Sequence, residues 1–316
     1  MKTFGGYLCY EKYYGNEYHL NAIGLNSARN CLRYLIRSKQ ISKIYVPHMN
    51  CDVIVRICEE ERINIQYYHI DNRMRPIIDF IPERDEYLYI INFYGQLTEE
   101  EIIVLKEQYK NIIIDNAQAF FAKPVAAVDT IYSCRKYFGV PDGAYLFTDR
   151  EIACKLDRDI SYSRLSYLGG SFEYNASDFY DSFLDNEREI DNLKLALMST
   201  FTTNLLRSFD YSRIEKIRKE NFEYLFERFS LINKLEVRIP DGPFMYPLYL
   251  DNGSDIRIKL IENGVFVPQL WPNVIKRVDE KAIEYDFSSN ILPIPCDQRY
   301  GFDDMIEISN IIAQYV

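Results

Sequence analysis

Between Lys43 and Thr148, short apolar runs alternate with longer amphipathic stretches. Lys43–Val46, Ile65–Ile70, Tyr87–Phe93, Ile112–Ile114, Thr130–Tyr132 and Ala144–Thr148 are rich in β-branched and aromatic residues. They are too short for buried helices, so each predicts a strand. Val53–Ile63 between them predicts a helix. Thr98 caps another, with Glu99, Glu100 and Glu101 in its first turn and Lys110 at its end, the charge order that a helix dipole favours. Upstream, Ala22–Leu25 leads into a helix ending near Arg37. Leu32, Leu35 and Ile36 give its helical spacing and Ser27 its N-cap. This alternation predicts βαβ units, hence an α/β fold with a mostly parallel sheet flanked by helices.

The second half reads differently. Arg150–Asp159 predicts a helix, and Gly169-Gly170 with the polar stretch to Asn175 a flexible or interface loop. Phe179–Leu206 and Tyr211–Phe229 predict long helices. Ile214, Ile217, Phe222, Leu225 and Phe229 fall mainly on one face of the latter, which should bridge to a smaller C-terminal α+β unit. There Val237–Ile239 and Met245–Leu250 predict strands around the turn Asp241-Gly242-Pro243. Ile256–Glu262 predicts a helix stopped by Asn263-Gly264, followed by a strand at Val265–Val267 and a closing helix at Asp303–Tyr315. The expected division is a large domain over 1–210 and a small one, with its bridging helix, over 211–316. Met1–His19 is aromatic without a period, an arm that packs on the body or on a partner subunit.

Composition narrows the function classes. The 316 residues carry 37 basic and 47 acidic side chains, a formal charge of −10, with no basic block, so nucleic acid is not an expected partner. No run approaches the roughly 20 apolar residues of a membrane helix. The N-terminus has no apolar signal core. Seven cysteines lie at scattered positions without a C-x-x-C pair, and histidines are few. That points to free thiols in a reducing cytoplasm rather than to zinc.

The candidate chemistry gathers between Asn111 and Ala144. Asp115 follows a strand where ligands of open α/β sheets bind, at the carboxyl end. A second strand leads into Ser133 and Lys136. One acid and one amine thus arrive at the same sheet edge. That pairing suits pyridoxal phosphate, which needs a lysine to bond its aldehyde and an acid to keep its pyridine nitrogen protonated. Alone, an aspartate after a strand is usually a turn residue and a loop lysine usually solvated. Their order and spacing together point to the cofactor.

These residues resemble the fold-type I pyridoxal-phosphate aminotransferases, and more closely the sugar aminotransferases of the DegT/DnrJ/EryC1/StrS family. Asp115 with Gln118 matches Asp-x-x-Gln. Ser133-Cys134-Arg135-Lys136-Tyr137-Phe138-Gly139 resembles Ser-x-x-Lys-x-Phe-Gly, and Asn92-Phe93-Tyr94-Gly95 resembles Asn-x-x-Gly. Ile291-Leu292-Pro293-Ile294-Pro295 resembles the last-strand signature. The resemblance implies that Lys136 bonds the cofactor and moves protons, and that Asp115 holds the ring proton. It implies that Asn92 and Gln118 orient the ring, and that Ser27, Ala28 and Ser133 hold the phosphate. It also implies amino transfer from an amino acid, glutamate or glutamine, to a nucleotide-linked keto sugar, by a homodimer with shared active sites. Two features depart from the family. Cys51 stands where many members stack an aromatic ring on the cofactor, and no Gly-x-Asn-x-Arg motif follows Gly169. These departures motivate a rival reading, a fold-type I scaffold that binds a ligand or partner without turnover; the spacing of Asp115, Gln118 and Lys136 favours the enzyme. Lys136 sets the chain apart from relatives that carry histidine there and act as dehydratases.

Overall fold

A computed structural model describes residues 4–316; the first three residues of the arm, Met1–Thr3, lie outside the described residues. In chain order the elements begin with β1 (Ile23–Leu25), α1 (Ala28–Lys39), β2 (Lys43–Pro47), α2 (Asp52–Glu60), β3 (Asn64–Ile70), β4 (Pro76–Ile77) and β5 (Glu86–Ile91). They continue with α3 (Glu99–Tyr109), β6 (Ile112–Asp115), β7 (Asp129–Ser133), β8 (Ala144–Phe147), α4 (Ser166–Glu173), α5 (Tyr180–Asp191) and α6 (Thr200–Leu206). The last are α7 (Tyr211–Phe229), β9 (Met245–Tyr249), α8 (Gly253–Glu262), α9 (Ile283–Asn290), β10 (Ile291–Pro295) and α10 (Phe302–Ile312).

Eight strands form one sheet in the order β1-β8-β7-β6-β5-β2-β3-β4. The five from β7 to β3 pair in parallel, as their apolar composition predicts; β8, β1 and β4 pair antiparallel at the two sides. Register decides what meets at the carboxyl edge. Ile91 pairs with Asp115, Asp115 with Ile131, Ser133 with Ala144, and Ala144 with Leu25. Because β8 runs back between β7 and β1, β1 points the same way as β7. The N-terminus of α1 therefore opens on the same edge as Asp115 and Ser133.

A second core lies around the β9–β10 pair, where Tyr246, Leu248, Leu292 and Ile294 pack with Phe222, Leu225 and Phe229 of α7 and with Ile256, Leu260 and Met305. The start of α7, at Tyr211 and Ile214, packs instead on the core of the eight-stranded sheet, which includes Ile44, Val46, Leu88, Ile113 and Ile131.

Five expectations fail for identifiable reasons. Arg150–Asp159 is not helical: Asp157 O accepts the Leu197 N–H at 2.8 Å and the Asp159 N–H donates to Leu197 O at 2.9 Å, holding the segment extended. Phe179–Leu206 is not one helix but α5 and α6. The residues between them leave the helix so that Lys194 O can accept from Asn26 and Asn30, each at 3.0 Å. Gly169-Gly170 is no loop but the middle of α4, where a Cβ at Gly170 would fall 2.1 Å from Phe179 Cε1. Val237–Ile239 forms no strand because Arg238 turns to the 95–97 carbonyls and its N–H to Gln96 Oε1 at 2.7 Å. Val265–Val267 forms none because the Val265 N–H closes the end of α8 on Leu260 O at 2.8 Å. Helix α9 was not foreseen; its buried Glu284 accepts the Ile70 N–H at 2.9 Å. Among the described residues, no helix is long and apolar enough to cross a membrane.

The arm packs on the body: the Tyr10 ring centroid lies 4.9 Å from that of Phe201. The Tyr13 N–H donates to Asn204 Oδ1 at 2.9 Å, and Tyr145 Oη donates to Glu17 at 2.9 Å. His19 is 5% exposed among Phe120, Tyr132, Tyr145 and Phe147, and its Nε2–H donates to Phe120 O at 2.8 Å. Burial pushes its pKa down from 6.5 to about 4. Below pH 6.5 the unfolded chain therefore takes up a proton that the folded chain refuses until about pH 4. The stability contributed here is whole above pH 6.5 and is lost as pH falls toward 4. At about 1.4 kcal/mol per pH unit the whole window is worth roughly 3 kcal/mol. In urea unfolding, the gap between wild type and His19→Gln should narrow by roughly that amount from pH 7 to pH 4. A gap that does not change with pH would mean that His19 titrates normally.

Candidate active site

A cavity of about 380 Å³ opens at the carboxyl edge of the sheet. That lies within the roughly 300–1,000 Å³ of small-molecule sites. Asp115, last residue of β6, sits in its wall. Its Oδ2 accepts from Tyr89 Oη at 2.8 Å and its Oδ1 from the Ala117 N–H at 2.8 Å. Burial raises the Tyr89 pKa well above its ordinary value, so this hydroxyl stays a donor and fixes the carboxylate's direction. Lys136 lies on the turn after β7, with its Nζ 5.8 Å from the Phe244 ring centroid.

Ser27 caps α1, its Oγ accepting the Asn30 N–H at 3.3 Å. Ser27, Ala28 and Ser133 line the cavity beside this helix N-terminus, where free amides and the helix dipole favour an anion. Cys51 also lines it, at the N-cap of α2, with Val53, Ile54 and Ile57 continuing an apolar wall. Six of the eight residues expected from sequence thus meet at one cavity: Ser27, Ala28, Cys51, Asp115, Ser133 and Lys136.

Asn92 and Gln118 do not line it. Asn92 is fully buried, donating to Asn116 Oδ1 at 2.9 Å and accepting the Leu97 N–H at 2.8 Å. Gln118 Oε1 accepts the Tyr94 N–H at 2.8 Å, at a residue held in the left-handed region with φ 52°. The structure uses both side chains to shape the 92–97 turn beneath the site.

Several lining groups escaped the sequence reading. Arg29 and Arg135 flank the expected phosphate residues in sequence, and Phe183, Glu187 and Ile190 of α5 also line the cavity. Arg135 pairs with Glu187, and Arg29 with Asp191 at the end of α5. Arg135 stands inside the Ser-x-x-Lys motif, and Arg29 directly follows Ser27 and Ala28. Their partners were invisible because α5 was merged into a longer helix of unassigned direction.

The lysine turn is also held from the C-terminal side. Buried Arg218 of α7 donates to Tyr137 O at 3.2 Å and Pro243 O at 2.9 Å, with its guanidinium 4.4 Å from the Tyr137 ring centroid. Gln298 Nε2 donates to the same Tyr137 carbonyl at 2.7 Å.

No family model matches the sequence, and no curated protein matches it. Solved structures do match in shape. A DegT DnrJ EryC1 StrS aminotransferase from Brucella abortus aligns with TM-score 0.64 at 13% identity, over 93% of this chain and 85% of that one. The sugar aminotransferase CalS13 from Micromonospora echinospora aligns with TM-score 0.62 at 10% identity, over 93% and 87%. NtdA from Bacillus subtilis, with bound cofactor PMP, aligns with TM-score 0.64 at 14% identity, over 93% and 73%. The chain therefore has the fold of the DegT/DnrJ/EryC1/StrS aminotransferases, at identities where the likeness is one of fold alone.

Proposed function

We propose that this chain is a pyridoxal-phosphate-dependent aminotransferase that moves an amino group from glutamate or glutamine to a nucleotide-linked keto sugar. The observation that carries this reading is the convergence of Lys136, Asp115 and the N-terminus of α1 on one cavity. The similar structures named above include a sugar aminotransferase and one with bound PMP, which supports the same chemistry.

The donor set fits the cofactor. An amine, a fixed carboxylate and a helix N-terminus with two hydroxyls answer an aldehyde, a pyridine nitrogen and a phosphate. When bound, the cofactor supplies a covalent attachment for amino groups and a protonated ring that withdraws electrons from the carbon losing a proton. Asp115 keeps that ring nitrogen protonated, its own direction set by Tyr89 and Ala117. Lys136 Nζ would hold the cofactor at rest; once the incoming substrate amine takes its place on the cofactor, the freed Lys136 amine would be the group that accepts and returns the substrate proton. Ser27, Ala28 and Ser133 hold the phosphate. Cys51 with Val53 and Ile54 gives the ring an apolar neighbour in place of an aromatic one. Asn92 and Gln118 act at one remove, through the turn they brace. All seven cysteines are unpaired, which suits a reducing cytoplasm.

The working form in this reading is a homodimer. Tyr7, Leu8 and Tyr14 of the arm are 83–98% exposed, and Phe172 and Tyr174 at the end of α4 are 92% and 68% exposed. Such apolar side chains suit burial against a second copy. Because α5 of the same chain already walls the cavity, a second copy has only the mouth left to complete.

Borohydride reduction of the cofactor-loaded protein should fix the label on Lys136. Peptide mapping that finds it elsewhere, or finds none, overturns the site and favours a non-catalytic scaffold. Lys136→Ala should bind the cofactor yet fail to transfer an amino group in a single half-reaction.

Asp115→Asn keeps the shape but removes the charge on the ring nitrogen. Its rate should fall far more than its cofactor affinity, since each ~1.4 kcal/mol is tenfold in rate. A loss smaller than about tenfold would take Asp115 away from the ring nitrogen.

Sedimentation at low micromolar concentration should give a dimer, and Phe172→Asp combined with Leu8→Asp should shift it toward monomer. A wild type that sediments as a monomer removes the dimer.

A further inference from the structure

Two guanidinium groups stand in the cavity wall at the end expected to hold the phosphate. Arg29 is the second residue of α1, two after Ser27; Arg135 is two after Ser133 and directly precedes Lys136. Their side chains are only 14% and 16% exposed. Each is answered by a carboxylate of the same helix: Asp191 of α5 pairs with Arg29, and Glu187 of α5 with Arg135. Asp191 also lies 3.2 Å from Arg56.

This pairing leaves a donor of Arg135 unused. A guanidinium has five N–H donors in a planar fork, and the Nε of Arg135 is buried without a partner. Burial, together with repulsion from Arg29, pushes the Arg135 pKa down to about 10. Two cations held close together beside a helix N-terminus and two hydroxyls form an environment for a dianion. The motifs assign the phosphate to Ser27, Ala28 and Ser133 only; the arginines are a feature of this chain's own geometry.

We propose that Arg29 and Arg135 are ligands of the cofactor phosphate, and that Glu187 and Asp191 of α5 are the internal anions with which that phosphate exchanges. The proposal rests on the pyridoxal-phosphate reading above. It has a mechanical consequence. Phe183 and Ile190 of the same helix wall the cavity, so a phosphate that takes the guanidiniums releases the charges that hold the cover down. Cofactor loading and loosening of α5 are then linked in both directions.

The test is a spectroscopic titration of the full-length chain with pyridoxal phosphate and with pyridoxal, which lacks the phosphate. Arg29→Gln and Arg135→Gln should each lower the preference for the phosphorylated form by on the order of tenfold, with pyridoxal affinity little changed. Arg135→Lys should recover part of it. Glu187→Gln and Asp191→Asn should raise the preference several-fold, and hydrogen exchange in α5 should quicken with pyridoxal phosphate but not with pyridoxal. Equal weakening toward both ligands would make the arginines structural and overturn the proposal. Unchanged exchange in α5 would overturn the part that concerns the helix. If the arginine variants weaken uridine diphosphate and leave the pyridoxal ratio intact, the arginines belong to a substrate diphosphate instead, and the proposal fails. If either Gln variant is unfolded by circular dichroism, the carboxylate variants decide. Those side chains are 34% and 38% exposed, and no gain in preference overturns the proposal. Borohydride that labels no Lys136, beside a preference that still depends on the arginines, sinks the aminotransferase reading and leaves the anion site. A labelled Lys136 with an unchanged ratio does the reverse.

Discussion

The return of the chain through Gly143 is the constraint on which the site depends. After the lysine turn the backbone must enter β8 between β7 and β1, directly beneath the start of α1. Gly143 makes this possible at φ +117°, donating its N–H to Asn26 O at 2.9 Å and accepting the Cys134 N–H at 3.1 Å. One residue thus ties the segment before α1 to the segment before Lys136. A Cβ there would meet Thr202 Cγ2 at 3.0 Å and Met198 Cε at 3.3 Å, besides adopting a backbone conformation that L side chains rarely adopt. Asp142 fixes the turn from the other side. It is fully buried, and its carboxylate accepts the Ser199 N–H at 2.8 Å and Ser199 Oγ at 2.9 Å, with Thr202 as a third donor. Burial raises its pKa while these donors pull it back, the balance of a buried carboxylate retained for its hydrogen bonds.

The C-terminal unit takes part in the same positioning. Arg218 and Gln298 converge on the Tyr137 carbonyl, one residue past Lys136. An unsatisfied buried carbonyl costs about 1–3 kcal/mol, so the lysine turn is not free to drift from α7 and the loop before α10. The lysine is therefore placed by two cores at once, the sheet through Gly143 and the smaller core through Arg218. That explains why a cation as fully buried as Arg218 is tolerated: backbone carbonyls and a tyrosine face take the place of a counter-ion.

How much was legible follows from the range of each signal. Asp115, Ser133 and Ser27 were readable because each sits at the end of a strand or the cap of a helix, and local periodicity marks those places. The parallel strands were readable because burial on both faces gives unbroken apolar runs. What failed was decided by partners far along the chain. Ile152 and Leu156 have helical spacing, yet Arg150–Asp159 lies extended because Leu197 supplies its hydrogen bonds. Phe179–Leu206 has helical composition throughout, yet it breaks where Lys194 must serve Asn26 and Asn30. Asn92 and Gln118 were found by motif, but motif spacing could not reveal that buried backbone donors in the 92–97 turn would claim their side chains.

The net charge of the chain says little about its ligand, because charges more than about 8–10 Å apart are screened in physiological salt. What matters is the balance inside the cavity. Arg29, Arg135 and Lys136 stand against Asp115 and Glu187 in the lining, and Asp191, just outside it, is shared between Arg29 and Arg56. In the proposed reading a dianion entering this site competes with these carboxylates for the guanidiniums. Asp115 cannot yield, since it terminates a central strand and is held by Tyr89 and Ala117. Glu187 and Asp191 can, because α5 is a peripheral helix. Its buried polar tether, Asn186, reaches Pro141 O and Tyr167 Oη only at 3.4 Å each, near the outer limit of hydrogen-bond geometry. In the proposed reading the sheet would fix the carboxylate that faces the ring, and the cover would carry those that give way.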